Sequence, residues 1–412
     1  MDDRVRIANA RPIDLVSGRA DEPRDIRLRD GRIARSPGEH DAVLDAEGRF
    51  VLPGLWDAHV HLTRVALALR RLDLASSDGP VIAESALRGE RPDDDADGAE
   101  LDPWVRRAAR AASAWGVVGI VDMEHADNGQ VWRRRAADGF DDLRVRASVW
   151  PEWLDRTVAA GLHDGDRLDQ RGLVVQGPLK LIADGSIRAA TAWCHSPYGP
   201  RRDTGTGHLD LGELTGLLAQ AARAGIGCAV HATGDAAIDA ALSAFSATHA
   251  HGSIEHAELV TPDQAAGMAR LGLTASVQPQ HLLTVRDACD SYRPGRTVPP
   301  LATLRLAGVD LALGSDAPLT PLNPWATIQA AVRCDPARRR HPEELLSLSE
   351  AIRASTSGVC RLVPGAPADL ILVDENPFDV EIERLHTFGA AATVLAGRVA
   401  HSRIGPLRGG VG

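Results

Sequence analysis

The chain has 412 residues, of which 44% are hydrophobic and 25% charged. Those are the proportions of a soluble globular protein, long enough for two or three domains or for one large barrel with an addition. Acidic residues outnumber basic ones by 56 to 46, a net charge of −10, which argues against a nucleic-acid partner. No apolar stretch approaches the roughly 18 residues that point to a membrane span. Met1-Asp2-Asp3-Arg4 is not followed by an apolar run of the signal-peptide type. The five cysteines (Cys194, Cys228, Cys289, Cys334 and Cys360) are scattered without a C-x-x-C pair. Reduced thiols in a cytoplasmic protein are the expectation.

In chain order, residues 1–50 read as short strands and turns. Asp30-Gly31 stands between Ile26-Arg27-Leu28 and Arg32-Ile33-Ala34, a two-residue hairpin signal. An apolar strand, 54–61, follows Pro53-Gly54. Segment 88–100 carries six carboxylates and reads as a solvated loop or part of a lid. Asp102-Pro103 reads as an N-cap and first-turn proline ahead of Trp104, Ala108, Ala112 and Trp115, with Gly116 as the stop. Further strands are expected at 117–123, 145–150, 174–183, 227–231, 253–256, 274–279 and 310–315. Helices lie between most of them: one over 211–224 ends at Gly225, one opens at Thr261-Pro262 and ends at Gly272, and Ser347-x-x-Glu350 is a capping box. Arg338-Arg339-Arg340-His341 reads as a solvated helix end. Strands at 368–374 and 393–399 close the chain. Alternating strands and helices over about 300 residues predict an α/β protein, a (β/α)8 TIM barrel over 51–362. A small β-sandwich domain is then built from both chain ends, 1–50 and 363–412. A doubly wound open sheet is disfavoured, because no glycine-rich phosphate loop follows the first strand.

The candidate chemistry lies at strand ends, where a parallel barrel keeps its catalytic groups. His59 and His61 are i and i+2 on a strand, so both imidazoles point to one face, and neutral imidazole suits zinc, iron or nickel. Lys180 sits in the fourth strand between apolar neighbours, a costly place for an unpaired ammonium. His231 ends the fifth strand, His256 the sixth and Asp316 the eighth. Taken singly, His231 or His256 also fits a hydrogen-bonded structural histidine, Asp316 a helix N-cap before Ala317-Pro318, and Lys180 a buried ion pair. Glu124-His125 after the second strand is left outside the metal set. Trp150 and Trp153 follow the third strand, Ser186, Thr191, Trp193 and Tyr198 the fourth, and His281 the seventh. With only 8 Trp, 2 Tyr and 5 Phe in the chain, several near the expected mouth point to an apolar or aromatic substrate wall. Trp150, Ser186, Tyr198 and His281 are its candidate binding residues. Ordinary loop packing explains the same placement.

These residues resemble the amidohydrolase superfamily. The first-strand run Val51-Leu52-Pro53-Gly54-Leu55-Trp56-Asp57-Ala58-His59-Val60-His61 is similar to its entry motif. Leu179-Lys180-Leu181-Ile182-Ala183-Asp184-Gly185-Ser186, His231-Ala232-Thr233-Gly234-Asp235, Ile254-Glu255-His256-Ala257-Glu258, Ser276-Val277-Gln278-Pro279-Gln280-His281 and Gly314-Ser315-Asp316-Ala317-Pro318 are closest to the YtcJ-like branch, which includes N-substituted formamide deformylase. The resemblance implies two divalent ions, zinc being the expected one. His59, His61 and Asp316 would hold the buried ion and His231 and His256 the outer one. Lys180, N-carboxylated by CO2, would bridge them. It further implies hydrolysis of a non-peptide C–N bond, in an amide or N-substituted formamide, through a metal-bridged hydroxide. Asp316, His256 and Lys180 would carry the chemistry, with Asp316 moving the proton. The sequence departs from the branch at Ala189-Ala190-Thr191-Ala192, which lacks the branch's arginine although Arg188 is near, and in a short connection between the first two strands. A lactone or ester hydrolase on the same centre is one alternative. A mononuclear deaminase is another, although His231-Ala232-Thr233-Gly234 lacks the glutamate such enzymes carry three residues on. A barrel without activity is the third. The expected partner is a small-molecule substrate, with homo-oligomerisation possible.

Overall fold

The computed structural model describes residues 4–35, 42–75, 98–199, 203–281, 299–333, 342–405 and 407. The acidic segment 88–100 lies outside them except for its last three residues, and the basic run 338–341 lies outside altogether. The N-terminal strands are β1 (Val5–Pro12), β2 (Arg24–Arg29), β3 (Arg32–Ile33), β4 (Ala42–Asp45) and β5 (Phe50–Pro53). The hairpin expected at Asp30-Gly31 is present. Leu28 pairs with Ile33 and Arg29 with Arg32, and both turn residues are left-handed, with φ of 50° and 70°, as a type I′ turn requires.

β5 pairs up to Pro53 with a later strand, and the chain leaves this sheet at Gly54. Eight parallel strands follow: β6 (Leu55–Val60), β7 (Val117–Asp122), β8 (Arg144–Val149), β9 (Val174–Ile182), β10 (Cys228–Ala232), β11 (Gly252–His256), β12 (Thr274–Val277) and β13 (Asp310–Leu313). They pair in sequence order from β6 to β13. The ends of this series also meet: Val60 and Ala317 form a parallel bridge, the Asp316 amide donates to the His59 carbonyl at 2.7 Å, and the His61 amide donates to the Ala317 carbonyl at 2.9 Å. The sheet is therefore the expected closed barrel.

Helices α1 (Leu62–Ala75), α2 (Asp102–Ala114), α3 (Asn128–Ala137), α4 (Pro151–Ala159), α5 (Leu211–Arg223), α6 (Asp235–Thr248), α7 (Pro262–Arg270), α8 (Leu301–Leu306), α9 (Pro324–Val332) and α10 (Leu348–Ala354) accompany the strands. Thr261 and Ser347 both form capping boxes, with Gln264 and Glu350. Asp102 differs from expectation. It is the first residue of α2 and caps nothing through its side chain; its carboxylate takes the buried Arg135 guanidinium at 3.0 Å and also binds Arg134. A buried cation without a counter-charge costs more than an unfilled cap. Leu179, Leu181, Val230 and Ile254 of the strands join Leu214, Leu218, Ile238, Phe245 and Met268 of the helices in one buried cluster. Each such side chain contributes roughly 1.5–3 kcal/mol on burial. That outward apolar face leaves the alternate residues Lys180, His231 and Glu255 to the barrel interior.

The last strands, β14 (Leu370–Val373), β15 (Ala392–Leu395) and β16 (Arg398–Ser402), complete the terminal sheet in the order β16-β15-β14-β5-β1-β2-β3, with β4 also on β1. It is one mixed sheet in which β1 passes between two halves, its first residues pairing with β2 and β4 and its last two with β5. Both halves bury side chains in a common cluster, including Ile7, Leu28, Leu44, Leu370 and Val394. Arg144 of the barrel reaches Asp369 of the sheet through two bonds, of 2.6 and 3.1 Å. Cys228 and Cys360 are free thiols, and Cys194 Sγ contacts the Ala192 carbonyl and the Tyr198 hydroxyl. No helix among the described residues is long and apolar enough to cross a membrane. Gly252 opens β11 at φ 155°, and a Cβ there would lie 1.8 Å from the Cys228 carbonyl oxygen of β10. Gly252→Ala is expected to cost about 1–3 kcal/mol of stability, measurable as a lowered denaturant midpoint.

Candidate metal centre

Alternation along β6 places Asp57, His59 and His61 on one face. The Asp57 carboxylate is not a ligand but a stitch. Its Oδ1 accepts from the His59 amide at 3.1 Å and from the Ser315 amide at 2.9 Å, joining the first barrel strand to the segment after the eighth. Burial pushes Asp57 up to about 6 against those bonds. A Cβ at Gly314 would come 2.7 Å from the His59 nitrogen, so only glycine lets the two segments approach this closely. His256, Ala257 and Asp316 are all left-handed, with φ of 71°, 48° and 54°. At His256 this breaks strand alternation, so that both Glu255 and His256 reach the interior. Non-glycine residues in this region cost of order 1–3 kcal/mol each and concentrate at functional sites.

Three of the predicted ligand residues meet in one group, with the others near it. One ligand atom from each of His59, His256 and Asp316 lies within 4.8 Å of the others. His61 Nε2 is 3.4 Å from Asp316 Oδ1, and the His231 ring centroid is 4.4 Å from that of His256. Lys180 is buried in the same interior, and its Nζ has no hydrogen-bond partner among the described residues. Three of the four imidazoles are held from behind. His59 Nδ1 is 2.6 Å from Glu255 Oε2 and His256 Nδ1 is 2.8 Å from Gln278 Oε1, leaving Nε2 of both toward the cluster. His231 is held by the other nitrogen: its Nε2 is 3.1 Å from the Gly185 carbonyl and 3.3 Å from Thr233 Oγ1, which leaves Nδ1. Such outer contacts fix the tautomer and raise the basicity of a metal-ligating histidine.

Burial, reinforced by Lys180, pushes His59 down and His231 down to about 3; burial and the neighbouring His231 and His59 push His256 well down. Burial likewise lowers the Lys180 ammonium. Asp316 goes the other way. Burial raises it, but its contacts with His281, His59, His61 and His256 more than offset that and hold it well below the usual carboxylate range. Neutral imidazoles, one ionised carboxylate and an amine without a hydrogen-bond partner among the described residues form a donor set that fits divalent metal.

Asp184 organises the wall beside the fifth strand. Its carboxylate accepts from the amides of Thr233, Gly234 and Trp193, and burial still pushes it up to about 7. Of the expected substrate residues, half-buried Trp150 donates from Nε1 to the Glu124 carbonyl at 2.7 Å. His125 stands edge-on against it at 4.5 Å, with Trp153 at 5.7 Å. Ser186 Oγ accepts from the Ala189 amide at 3.3 Å. Tyr198 lies apart, fully buried with Ile187, Cys194 and Leu259, its hydroxyl donating to the Ala192 carbonyl at 2.7 Å. His281 packs on the cluster itself, its Nε2 3.4 Å from Asp316 Oδ2. Two carboxylates raise it to about 10 against the effect of burial. Asp57, Glu255, Gln278 and Asp184 were not assigned roles from sequence. Asp57 alone carried a usable signal, the period-two spacing it shares with His59 and His61.

The amidohydrolase family model matches residues 79–401. The chain belongs to that family. The match begins beyond His59 and His61, so the place of those two rests on the geometry above. The chain is 27% identical over 345 residues to Protein LONG AFTER FAR-RED 3 of Arabidopsis thaliana, covering 72% of this chain and 59% of that protein. It is 27% identical over 298 residues to a putative amidohydrolase, YtcJ, of Bacillus subtilis, covering 66% and 55%. It therefore spans less than two thirds of the length of either. It is also 28% identical over 358 residues to an imidazolonepropionase of Paracoccus denitrificans, covering 80% of both chains. The fold is that of an uncharacterised metal-dependent hydrolase of Pyrococcus horikoshii, with a TM-score of 0.77 at 20% identity over 92% of this chain and 99% of that one.

Asp57→Ala strands two buried amides on facing segments. It is expected to lower stability by about 1–3 kcal/mol, whereas Asp57→Asn, whose amide oxygen accepts the same bonds, loses less; thermal unfolding of the two variants compares them.

Proposed function

We propose that this chain is a metal-dependent hydrolase of a non-peptide C–N bond in a small molecule. The observation that carries the reading is the convergence of His59, His256 and Asp316 within 4.8 Å, with His61, His231 and the partnerless Lys180 around them. His59, His61 and Asp316 would hold one divalent ion, His231 and His256 a second, and Lys180 would lie between them as a carbamate, formed when its neutral amine adds CO2 and releases a proton. When bound, zinc-like ions supply an activated water at neutral pH and polarise a carbonyl.

The chain's own residues do the rest. Glu255 and Gln278 hold the His59 and His256 rings in place. Asp316, kept ionised by its neighbours, takes the proton from the attacking water and returns it to the leaving nitrogen. An amide nitrogen departs poorly without that proton. Half-buried Trp150, with His125 edge-on against it and Trp153 beyond, supplies an aromatic surface after the third strand suited to an aromatic or apolar substituent, and Ser186 lies on the loop after the fourth strand. The substrate class is an amide or N-substituted formamide. The likeness to an imidazolonepropionase, which extends over most of both chains, makes an imidazolone ring the second reading.

Elemental analysis of protein grown with added zinc is expected to find about two ions per chain, and His59→Ala to lose metal and activity together. Metal near zero in the wild type would overturn the proposal. Screening N-formyl, N-acyl, imidazolone, lactone and aminopyrimidine compounds then assigns the bond that is cleaved.

Asp316→Asn is expected to lose ~10²–10⁴ in kcat on an amide and less on a matched ester, whose leaving oxygen needs the proton less. Kinetics on such a pair measure it, and equal small losses on both would remove Asp316 from proton transfer.

A further inference from the structure

The two oxygens of Asp316 have different neighbours. Oδ1 faces the first-strand histidines, 3.4 Å from His61 Nε2 and 3.7 Å from His59 Nε2. Oδ2 faces His281 Nε2 at 3.4 Å. The other nitrogen of that ring, Nδ1, lies 3.2 Å from Glu258 Oε1. The His281 ring is further confined by His256, against which it lies within 14° of parallel at a centroid distance of 5.8 Å. Glu258 is buried and reaches this position only because His256 and Ala257 before it are both left-handed. Nothing in the proposed reaction uses Glu258, and an ordinary strand exit would not turn it inward.

We infer that Glu258 and His281 are positioning residues for Asp316: Glu258 fixes the rotation of the His281 ring, and His281 holds Oδ2, so that Oδ1 alone is turned toward the histidine pair. A planar ring hydrogen-bonded to Glu258 at Nδ1 and in ion-pair contact with Asp316 at Nε2 cannot rotate without losing one of the two contacts, so it transmits the position of Glu258 to the Asp316 carboxylate. A carboxylate without that restraint could offer either oxygen to the cluster. Outer partners of this kind set metal affinity and the geometry of a site. The inference rests on the reading of Asp316 as ligand and proton carrier.

The test is a double-mutant cycle of Glu258→Ala and His281→Ala, read on zinc affinity by chelator competition without substrate, and on kcat and KM for an amide. His281→Ala is expected to weaken zinc binding roughly 10–100-fold and to lower kcat with KM little changed. Glu258→Ala should give part of that loss, and the double variant should be no worse than His281→Ala, because Glu258 acts only through the ring. Glu258→Gln, which keeps an oxygen facing Nδ1, should recover most of the affinity. Losses that multiply, unchanged zinc affinity in His281→Ala, or a raised KM at constant kcat would overturn the inference, the last by placing the ring on the substrate. If the alanine variants do not fold, Glu258→Leu, which keeps the volume but removes the oxygen, and His281→Asn carry the same cycle. The affinity arm needs no turnover, so a protein that binds zinc and cleaves nothing would refute the hydrolase reading while the cycle still decides this one.

Discussion

The closure of the barrel between its first and last strands is the contact on which the site depends. Asp316 and the first-strand histidines are more than 250 residues apart in the chain, yet the Asp316 amide donates to the His59 carbonyl and the His61 amide to the Ala317 carbonyl. The Asp57 carboxylate draws the Ser315 amide into the same seam, and Gly314 leaves it the room. In an open sheet of the same strand order, the first and eighth strands would be its two edges, and no ligand cluster would include both.

Inside that closure the chain collects groups that water would otherwise solvate. Three imidazoles are driven neutral by burial, a lysine lies among them without a hydrogen bond to any described residue, and one aspartate stays ionised. An interior of this composition is costly by itself. The cost is reduced on the outer side of each ring, where Glu255, Gln278 and the Gly185 carbonyl satisfy the nitrogens turned away from the centre. What stays unsatisfied points inward, toward one volume, which is the polarity a cation would complete.

The terminal sheet is coupled to the barrel rather than appended to it. β5 runs into β6 through Pro53-Gly54, and the Gly54 amide donates to the Asp369 carbonyl. The side chain of that same Asp369 takes the Arg144 guanidinium of β8 and the Ala396 amide. One residue of the C-terminal strand region thus meets both the start of the first barrel strand and the start of the third.

Much of this was legible in the residues. Apolar runs separated by capped helices identified all eight barrel strands to within a few residues, because burial between helices and barrel interior demands the same short apolar pattern each time. Asp30-Gly31 announced its hairpin, since few residue pairs accept two left-handed conformations. The period of two placed His59 and His61 on one face. Contacts that join distant strands were not legible. Nothing local marks Glu255 as the partner of His59, Asp57 as the stitch to Ser315, or Glu258 as the neighbour of His281. Nor does sequence spacing show that Tyr198, four residues from Cys194, would turn into a small core of its own. Asp102 looked like a helix cap, and only the folded chain brought the buried Arg135 against it. The sequence by itself determined which residue types stand at the strand ends; the closed barrel decided which atoms of those residues face one another, because side-chain direction across a parallel sheet is set by register, twist and closure, and these are properties of the whole sheet and not of any strand alone.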